Sequence, residues 1–314
     1  MSHSKPLLVR LASPRGFCAG VERAVRTVED ALSQFGAPVY VRHDIVHNRH
    51  VVERLRAMGA IFIEDLDDAP SDRPVIFSAH GASIAAHDEA ERRGLLKIDA
   101  TCPLVTKVHS QTRRHVAAGR HVYLIGHRGH QEVIGTMGQA PEGEVTLIES
   151  IADVAAAPQR SEPKAYVTQT TLSVDDTKVI LEALKEKFPD ISGPRKEDIC
   201  YATSNRQDAV KATAPGTDYF IVIGSQSSSN SQRLVETARA AGAKRALLVE
   251  CAEQFELPVL DDAKTIGLSS GASAPEDLIE GFLTALASRR DISIETVETA
   301  REAVIFNSPL RLAS

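Results

Sequence analysis

Several features that define whole classes of protein are missing from this sequence. No apolar stretch in its 314 residues is long enough to cross a bilayer, and residues 1–6 lack the apolar segment of a secretory signal. Basic residues do not dominate, since 36 Lys and Arg stand against 42 Asp and Glu, and no stretch concentrates them with aromatic side chains. We therefore expect a cytoplasmic protein that binds neither a membrane nor nucleic acid.

Common cofactor motifs are missing as well. The chain has neither the GxxxxGK[ST] loop that binds nucleoside triphosphates nor a convincing GxGxxG dinucleotide motif. Only four cysteines occur, at positions 18, 102, 200 and 251, and none forms a CxxC pair. Structural zinc sites usually take their ligands in close pairs, and a reducing compartment disfavours disulfides. The cysteines therefore indicate catalysis, metal binding or simple burial.

One pattern recurs along the whole chain. Short runs rich in Val and Ile lead into a polar or glycine-containing corner, and apolar residues at helical spacing follow. After Cys18 these residues are Val21, Val25, Val28 and Leu32. Such alternation predicts an α/β fold with mostly parallel sheets, whose functional groups lie on loops at the carboxyl ends of the strands.

The corners form three series, each of which begins with a cysteine and continues with two polar side chains. The series are Cys18, His47 and His80; Cys102, His130 and Thr170; and Cys200, Ser228 and Ser273. This internal repeat predicts three pseudo-symmetric small α/β units around one central site. We expect the units at residues 14–102, 103–199 and 200–290. An N-terminal strand at 6–13 joins the third unit, and a tail at 291–314 packs on the core.

Three thiols brought to one point suit an iron–sulfur cluster. Four thiolates complete the ligation of a cubic cluster, so three would leave one iron open to a substrate. Helices that start just after each cysteine would also favour the thiolate form. A single cysteine is more often a buried structural residue, and Cys251, which lies outside the series, is predicted to be one.

The other corners predict an anion site beside a proton donor. The segment 224–231, GSQSSSNS, follows an apolar run and leads into a helix, where hydroxyls and backbone amides bind anions. Together with Ser273 and the corner histidines, it predicts a diphosphate site. Glu132 is either a partner of a helix dipole or a general acid. Eight histidines outside the series are expected at the surface: His3, His43, His50, His87, His109, His115, His121 and His127.

Nine motifs between about residue 10 and residue 280 resemble the 4-hydroxy-3-methylbut-2-enyl diphosphate reductase family. They are PRGFCAGV, DIVHNRHVV, FSAHGAS, DATCPLVTKVH, GHRGHQEVIGTMGQ, VTQTTLSVDDT, GPRKEDICYATSNRQ, GSQSSSNSQRL and SSGASAPEDL. The resemblance implies the last enzyme of the non-mevalonate isoprenoid pathway, which reductively removes an allylic hydroxyl to give isopentenyl and dimethylallyl diphosphate. It also implies one [4Fe-4S] cluster with an open iron, electrons from reduced ferredoxin or flavodoxin, and a monomer.

The resemblance assigns residues too. The implied cluster ligands are Cys18, Cys102 and Cys200. Glu132 would donate a proton, with Thr170 and His130 as the other catalytic residues. The implied substrate contacts are His47, His80, His130, Thr170, Ser228, Ser229, Asn230 and Ser273. From the residues alone two other classes stay open: a zinc hydrolase that uses the same Cys and His corners, and a non-enzymatic iron–sulfur sensor.

Overall fold

The computed structural model describes residues 6–310. Its strands are β1 Leu7–Ser13, β2 Val39–Arg42, β3 Ala60–Ile63, β4 Pro74–Phe77, β5 Leu96–Asp99, β6 His121–Ile125, β7 Val145–Ile148, β8 Lys164–Thr168, β9 Tyr219–Ile223, β10 Ala246–Val249, β11 Thr265–Ser270 and β12 Ile292–Glu298. Its α-helices are α1 Ala19–Phe35, α2 Arg49–Ala57, α3 Ile84–Arg92, α4 Pro103–Ala117, α5 Gln131–Met137, α6 Ile151–Ala156, α7 Val174–Lys187, α8 Tyr201–Thr213, α9 Ser229–Ala240 and α10 Glu276–Ala287. Short 3-10 helices occur at Leu66–Asp68, Ala252–Gln254 and Leu257–Leu260.

The strands form three small parallel sheets, as the alternation predicts. One sheet has the order β10-β9-β11-β1-β12, the second β3-β2-β4-β5 and the third β7-β6-β8. The pairings described for residues 6–310 are all parallel. The predicted α/β class with three small sheets is therefore confirmed.

The interior strands are continuous apolar runs because helices cover the sheets. Strand β9 reads YFIVI and β6 reads HVYLI, and nearly every residue of both is buried. Such runs are typical of parallel strands buried on both faces. Helix α1 instead buries a single stripe, which includes Ala24, Val25, Val28 and Ala31. The helical spacing read after Cys18 is thus the buried face of α1.

Packing groups the chain into two compact units. The described part of the first unit comprises residues 6–18, 47–51 and 201–305 and contains the five-stranded sheet. The described part of the second comprises residues 19–46, 52–200 and 306–310 and contains the other two sheets. The boundaries 14–102, 103–199 and 200–290 stay a prediction.

The first and the last described strands both belong to the five-stranded sheet of the first unit. Strand β1 lies between β11 and β12, and its pairing with β12 runs from Leu7 opposite Ile292 to Ser13 opposite Glu298. Seven residues of the segment predicted as a tail, Ile292–Glu298, therefore form a strand, and residues 311–314 of that segment lie outside the described residues. Within residues 6–310, no helix combines the length and the hydropathy needed to span a membrane.

Candidate active site

Three cysteines occupy equivalent positions next to helices. Cys18, Cys102 and Cys200 each lie one residue before the first residue of a helix, α1, α4 and α8 respectively. All three side chains are partly exposed. A helix N-terminus carries partial positive charge, which stabilises a thiolate and so favours binding of iron. The structure thus has the helix starts that the sequence predicts at these positions.

The backbone at these cysteines repeats one hydrogen bond. Each cysteine amide donates to a carbonyl oxygen at the last corner of another series. The pairs and their N···O distances are Cys18 to Ala272, 3.2 Å; Cys102 to Ala79, 3.0 Å; and Cys200 to Thr170, 3.0 Å. The first two acceptors each stand one residue before a predicted substrate contact, and the third is itself one. The internal repeat read from the sequence therefore extends to backbone geometry.

These thiols form a donor set that fits an iron–sulfur cluster. Thiolates are the usual ligands of such clusters, and in a cubane each thiolate binds a different iron, so the sulfur atoms do not converge on one ion. In the described part of the chain, no group of three or more His, Cys, Asp or Glu side chains is arranged to hold a metal ion. Each of the three partly exposed thiols at a helix N-terminus is therefore, taken singly, a donor of the type that such a cluster uses.

The fourth cysteine has a different setting. Cys251 follows β10 and packs against the apolar core of the first unit, which includes Leu260 and Phe282. Burial raises the pKa of its thiol, and a raised pKa disfavours the thiolate. Its side chain is partly exposed, yet its surroundings are those of a structural thiol.

Glu132 is a buried carboxyl group held by one threonine. It lies in the first turn of α5 and is 2% exposed. The amide of Thr170 donates to its Oε1 at 2.7 Å, and the hydroxyl of Thr170 donates to its Oε2 at 3.0 Å. Burial raises the pKa of Glu132 from 4.5 to about 7, although both Thr170 bonds act in the opposite direction. A carboxyl group with this pKa is protonated in about half of the molecules at pH 7 and can act as a general acid.

His130 is oriented by the same helix. It caps the N-terminus of α5, and its Nδ1 accepts the amide hydrogen of Glu132 at 3.1 Å. A neutral imidazole that accepts at Nδ1 carries its hydrogen on Nε2, which is then a donor. The ring of His80 meets that of His130 edge-on, with 5.9 Å between the centroids. Glu132, Thr170, His130 and His80 therefore form one cluster in the second unit.

The first unit contains the predicted serine loop. Ser228 is the N-cap of α9, and its hydroxyl accepts the amide hydrogen of Ser231 at 3.2 Å. A Cβ atom at Gly271 would lie 2.0 Å from the hydroxyl of Ser231 and 3.5 Å from Nδ2 of Asn230. Only glycine permits this approach, which brings the end of β11 against the first turn of α9. Two chain segments therefore meet at Asn230.

Asn230 lacks the partners that a buried amide needs. It is 4% exposed, and neither its Nδ2 nor its Oδ1 has a hydrogen-bond partner within the described residues. The hydroxyls of Ser269 and Ser270, at the end of β11, are also buried without a partner in that part of the chain. Leaving buried polar atoms unpaired is costly, and each such group requires an explanation. A polar ligand bound next to Asn230 would provide one.

Two further corners of the first unit touch directly. The hydroxyl of Ser273 donates to the carbonyl oxygen of His47 at 3.0 Å. Burial lowers the pKa of His47 from 6.5 to about 4, so its imidazole is neutral at pH 7 and donates a hydrogen bond without a net charge. Asn48 follows it and caps α2 by accepting the amide hydrogen of Val51 at 3.1 Å.

The predicted site residues divide between the two units. The second unit holds Cys102, Cys200, His80, His130, Glu132 and Thr170, and the first holds Cys18, His47, Ser228, Ser229, Asn230 and Ser273. Direct contacts join members of the set within each unit. Their roles stay predictions.

Three of the eight histidines for which the sequence predicts a surface position are buried. His109, His115 and His121 are 5%, 8% and 1% exposed, and His3 lies outside the described residues. His121 is in β6 and exchanges a hydrogen bond with the hydroxyl of Thr146 at 2.8 Å, so the sheet buries it. His109 packs against Gly81, where a Cβ atom would lie 2.6 Å from the ring. The only local signal for this packing is the glycine after His80.

A family model and curated relatives match most or all of the chain. The model is described as LytB protein and matches residues 9–287. The 4-hydroxy-3-methylbut-2-enyl diphosphate reductases of Hyphomonas neptunium and Phenylobacterium zucineum are 56% and 57% identical to it, in each case over 100% of both chains. That of Ruegeria pomeroyi is 57% identical over 97% of this chain and 96% of its own.

Two solved structures are similar as well. One is the E-1-hydroxy-2-methyl-but-2-enyl-4-diphosphate reductase of Plasmodium falciparum, with a TM-score of 0.92 and 38% identity over 97% of this chain and 96% of that chain. The other, described as the diphosphate reductase that is the terminal enzyme of the non-mevalonate pathway, has a TM-score of 0.65 and 31% identity over 90% of this chain and 99% of that chain.

Proposed function

Because the chain belongs to the LytB family, whose curated members are named 4-hydroxy-3-methylbut-2-enyl diphosphate reductases, we propose that the residues described above carry out that reduction. The protein is an oxidoreductase of the non-mevalonate isoprenoid pathway, and its family consists of iron–sulfur enzymes. Two electrons and two protons replace the substrate's C–O bond with a C–H bond, and water leaves. A proton at either end of the allylic carbon chain gives isopentenyl or dimethylallyl diphosphate.

Cys18, Cys102 and Cys200 would hold one [4Fe-4S] cluster with an open iron. The observation that carries this assignment is the threefold repeat of a partly exposed thiol one residue before a helix, with its amide bonded to another corner. When bound there, the cluster would relay electrons from an external donor to the substrate, one at a time. The protein contributes the fixed positions of the three thiols, and Cys251 takes no part.

Glu132 would supply the proton to the leaving hydroxyl. Its burial and its pKa of about 7 support this role, because a general acid is most effective when its pKa lies near the working pH. The hydroxyl and amide of Thr170 hold both carboxyl oxygens in place. His130 fixes the start of the same helix through its Nδ1 and can donate from Nε2 to the substrate. These three residues form the catalytic group.

The diphosphate would be bound by His47, His80, Ser228, Ser229, Asn230 and Ser273. The amide of Asn230 supports this assignment, because a phosphate oxygen would accept from its Nδ2, which has no partner within residues 6–310. The N-terminus of α9, a helix of 12 residues, also favours a negative charge near Ser228 and Ser229. Holding the diphosphate fixes the carbon skeleton relative to the proton donor.

Electrons would come from reduced ferredoxin or flavodoxin, and the enzyme would act as a monomer. The two other classes left open by the residues do not fit the relatives. Proteins related to this one over its full length are named as reductases, not as hydrolases or sensors. A sensor would also need no buried proton donor such as Glu132.

The first test is the cluster itself. Protein purified without oxygen should be brown and contain about four irons and four acid-labile sulfides per chain. Cys18→Ser, Cys102→Ser and Cys200→Ser should each lose the cluster, whereas Cys251→Ser, the matched control, should keep it. A colourless protein that contains zinc, or a cluster that survives all three substitutions, would contradict the proposal.

A further inference from the structure

A cation follows each of the three predicted cluster cysteines at nearly the same distance along its helix. Arg23 lies on α1 five residues after Cys18, and Lys107 lies on α4 five residues after Cys102. The third, Arg206, lies on α8 six residues after the last cysteine of the set. None of these cations belongs to the catalytic or substrate-binding residues proposed above, so their contacts require a separate explanation.

Arg23 binds the loop that leads to the second cysteine. Its Nη1 donates to the carbonyl oxygen of Thr101 at 3.0 Å, and its Nη2 to that of Asp99 at 3.5 Å. Thr101 directly precedes Cys102. The Nε of Arg23 donates to the carbonyl oxygen of Asn307 at 2.8 Å, which also fixes the guanidinium. The helix that follows Cys18 therefore holds the backbone in front of Cys102.

Lys107 does the same for the third cysteine. Its Nζ donates to the carbonyl oxygens of Lys196 at 2.9 Å and Glu197 at 2.8 Å, and lies 3.1 Å from the carboxylate of Asp198. Asp198 is completely buried and also accepts the amide hydrogen of Thr168 at 3.2 Å, whereas Lys107 remains one-third exposed. The helix that follows Cys102 therefore holds the loop in front of Cys200.

Arg206 repeats the arrangement for the first cysteine. Its Nε and Nη2 both donate to the carbonyl oxygen of Gly16, at 3.1 and 2.8 Å, and Nη2 also reaches the carbonyl of Phe17 at 3.3 Å. Phe17 directly precedes Cys18. The guanidinium is fully buried, and Glu302 balances its charge at 3.0 Å. The helix that follows Cys200 therefore holds the loop in front of Cys18.

The three contacts run in one direction and close a cycle. The helix after each cysteine holds the loop before the next cysteine, and the helix after the last holds the loop before the first. We propose that Arg23, Lys107 and Arg206 are positioning residues that fix the cysteine loops for a cluster with only three protein ligands. This inference rests on the proposed function. Hydrogen bonds from a cation are roughly twice as strong as neutral ones, so each contact resists movement of the loop it holds.

A cluster with only three protein ligands makes this positioning important. Residues that orient ligands from outside the ligand set typically change metal affinity or activity by ~10–100-fold when they are replaced. We therefore expect Lys107→Met and Arg23→Met to lose the cluster ~10-fold faster than the parent when an iron chelator is added to the anaerobic holoenzyme. Lys107→Arg and Arg23→Lys keep a cation and should restore most of the parent's cluster lifetime.

The controls are exposed cations on the same two helices. Arg114 lies on α4, and Arg26, on α1, is paired only with Glu22 one turn away on that helix within the described residues. Arg114→Met and Arg26→Met should lose the cluster at the parent's rate. The readout is the decay of the visible absorption, which does not depend on turnover.

Thermal unfolding separates positioning from general destabilisation. The proposal requires faster cluster loss in variants whose Tm stays within about 2 °C of the parent, because a larger shift would indicate general destabilisation in a chain of this size. If cluster lifetime instead follows Tm across all variants and controls, or if the Met variants match the controls, the proposal is wrong. Arg206→Met is not decisive, because a fully buried cation is removed and the variant can fail to fold. A parent protein without any cluster would overturn the proposed function itself, and this inference with it.

Discussion

The cluster around Glu132 and the serine loop around Asn230 differ in how their buried polar atoms are hydrogen-bonded within residues 6–310. Around Glu132, both carboxyl oxygens are bonded to Thr170, and the backbone amide of Glu132 is bonded to His130. In the serine loop, Asn230 is equally buried, yet neither polar atom of its amide has a partner among residues 6–310. Within the described residues, the polar atoms around Glu132 are thus bonded to protein atoms, and those of the Asn230 amide are not.

This difference fits two different tasks. A proton donor must hold one position and keep its proton before substrate arrives. The bonds from Thr170 fix the position of the Glu132 carboxyl group, and burial favours its protonated form. A diphosphate site must exchange its partners in every cycle, so it gains by leaving donors unpaired until the ligand binds. The comparison therefore predicts that substitutions in the first region change turnover and those in the second change affinity.

The largest effect is expected from Glu132→Gln. Glutamine keeps the size of the side chain and can still bond Thr170, but it has no acidic proton to give. Turnover should fall by at least ~10²–10⁴-fold, the usual contribution of general acid–base catalysis. Steady-state assays with a chemical reductant measure this change, and anaerobic spectra check that the cluster remains.

Two further measurements make the test of Glu132 specific. Substrate should bind Glu132→Gln nearly as well as it binds the parent, because the diphosphate contacts are intact. Glu22→Gln, which replaces an exposed carboxyl group on α1, is the matched control and should keep full turnover. Parent-like activity in Glu132→Gln would contradict its assignment as the proton donor.

The stability of the same variant should depend on pH in a defined direction. The pKa of Glu132 rises from 4.5 to about 7 on folding, so the folded state binds more protons between these values. The resulting stabilisation is complete below pH 4.5 and is lost as the pH rises through about 7. Glu132→Gln lacks this dependence, so relative to the parent it should be more stable at pH 8 than at pH 5 by on the order of 3 kcal/mol.

Chemical denaturation at several pH values measures that difference. Glu22→Gln should follow the parent at each pH, since its carboxyl group is exposed in the folded protein. If the curves of Glu132→Gln and the parent stay parallel between pH 5 and pH 8, folding does not raise the pKa of this carboxyl group. The comparison of the two regions would then lose its main support.

Local sequence patterns predict the fold class and the position of each predicted cluster cysteine just before a helix. The helix after Cys18 follows from apolar residues at helical spacing, and the parallel sheets follow from runs such as YFIVI in β9. These signals lie within about 20 residues of one another. The fold class therefore needed no knowledge of distant contacts.

The pairing of Glu132 with Thr170 could not be predicted in this way. The two residues are 38 positions apart, and nothing near either one shows that the carboxyl group is buried. The contacts of Arg23, Lys107 and Arg206 are even harder to predict from the sequence. Most of their acceptors are backbone carbonyls, which any residue provides. Burial of His109 and His121 was missed because neighbours elsewhere in the fold decide it.

The smallest of these effects is expected from Asn230→Ala, which tests the serine loop around the amide that is unpaired within residues 6–310. Substrate affinity should fall by ~10-fold or more, since a hydrogen bond to a charged group contributes about 1.5–3 kcal/mol. Without substrate, the free energy of unfolding should fall less for Asn230→Ala than it falls when a hydrogen-bonded amide is removed. Asn205, which donates to Glu302 at 3.0 Å, is the matched control, and Asn205→Ala should lose stability while keeping affinity. Isothermal titration and chemical denaturation distinguish the two patterns. A loss of stability in Asn230→Ala with unchanged affinity would mean that this amide is structural and that both regions are complete without a ligand.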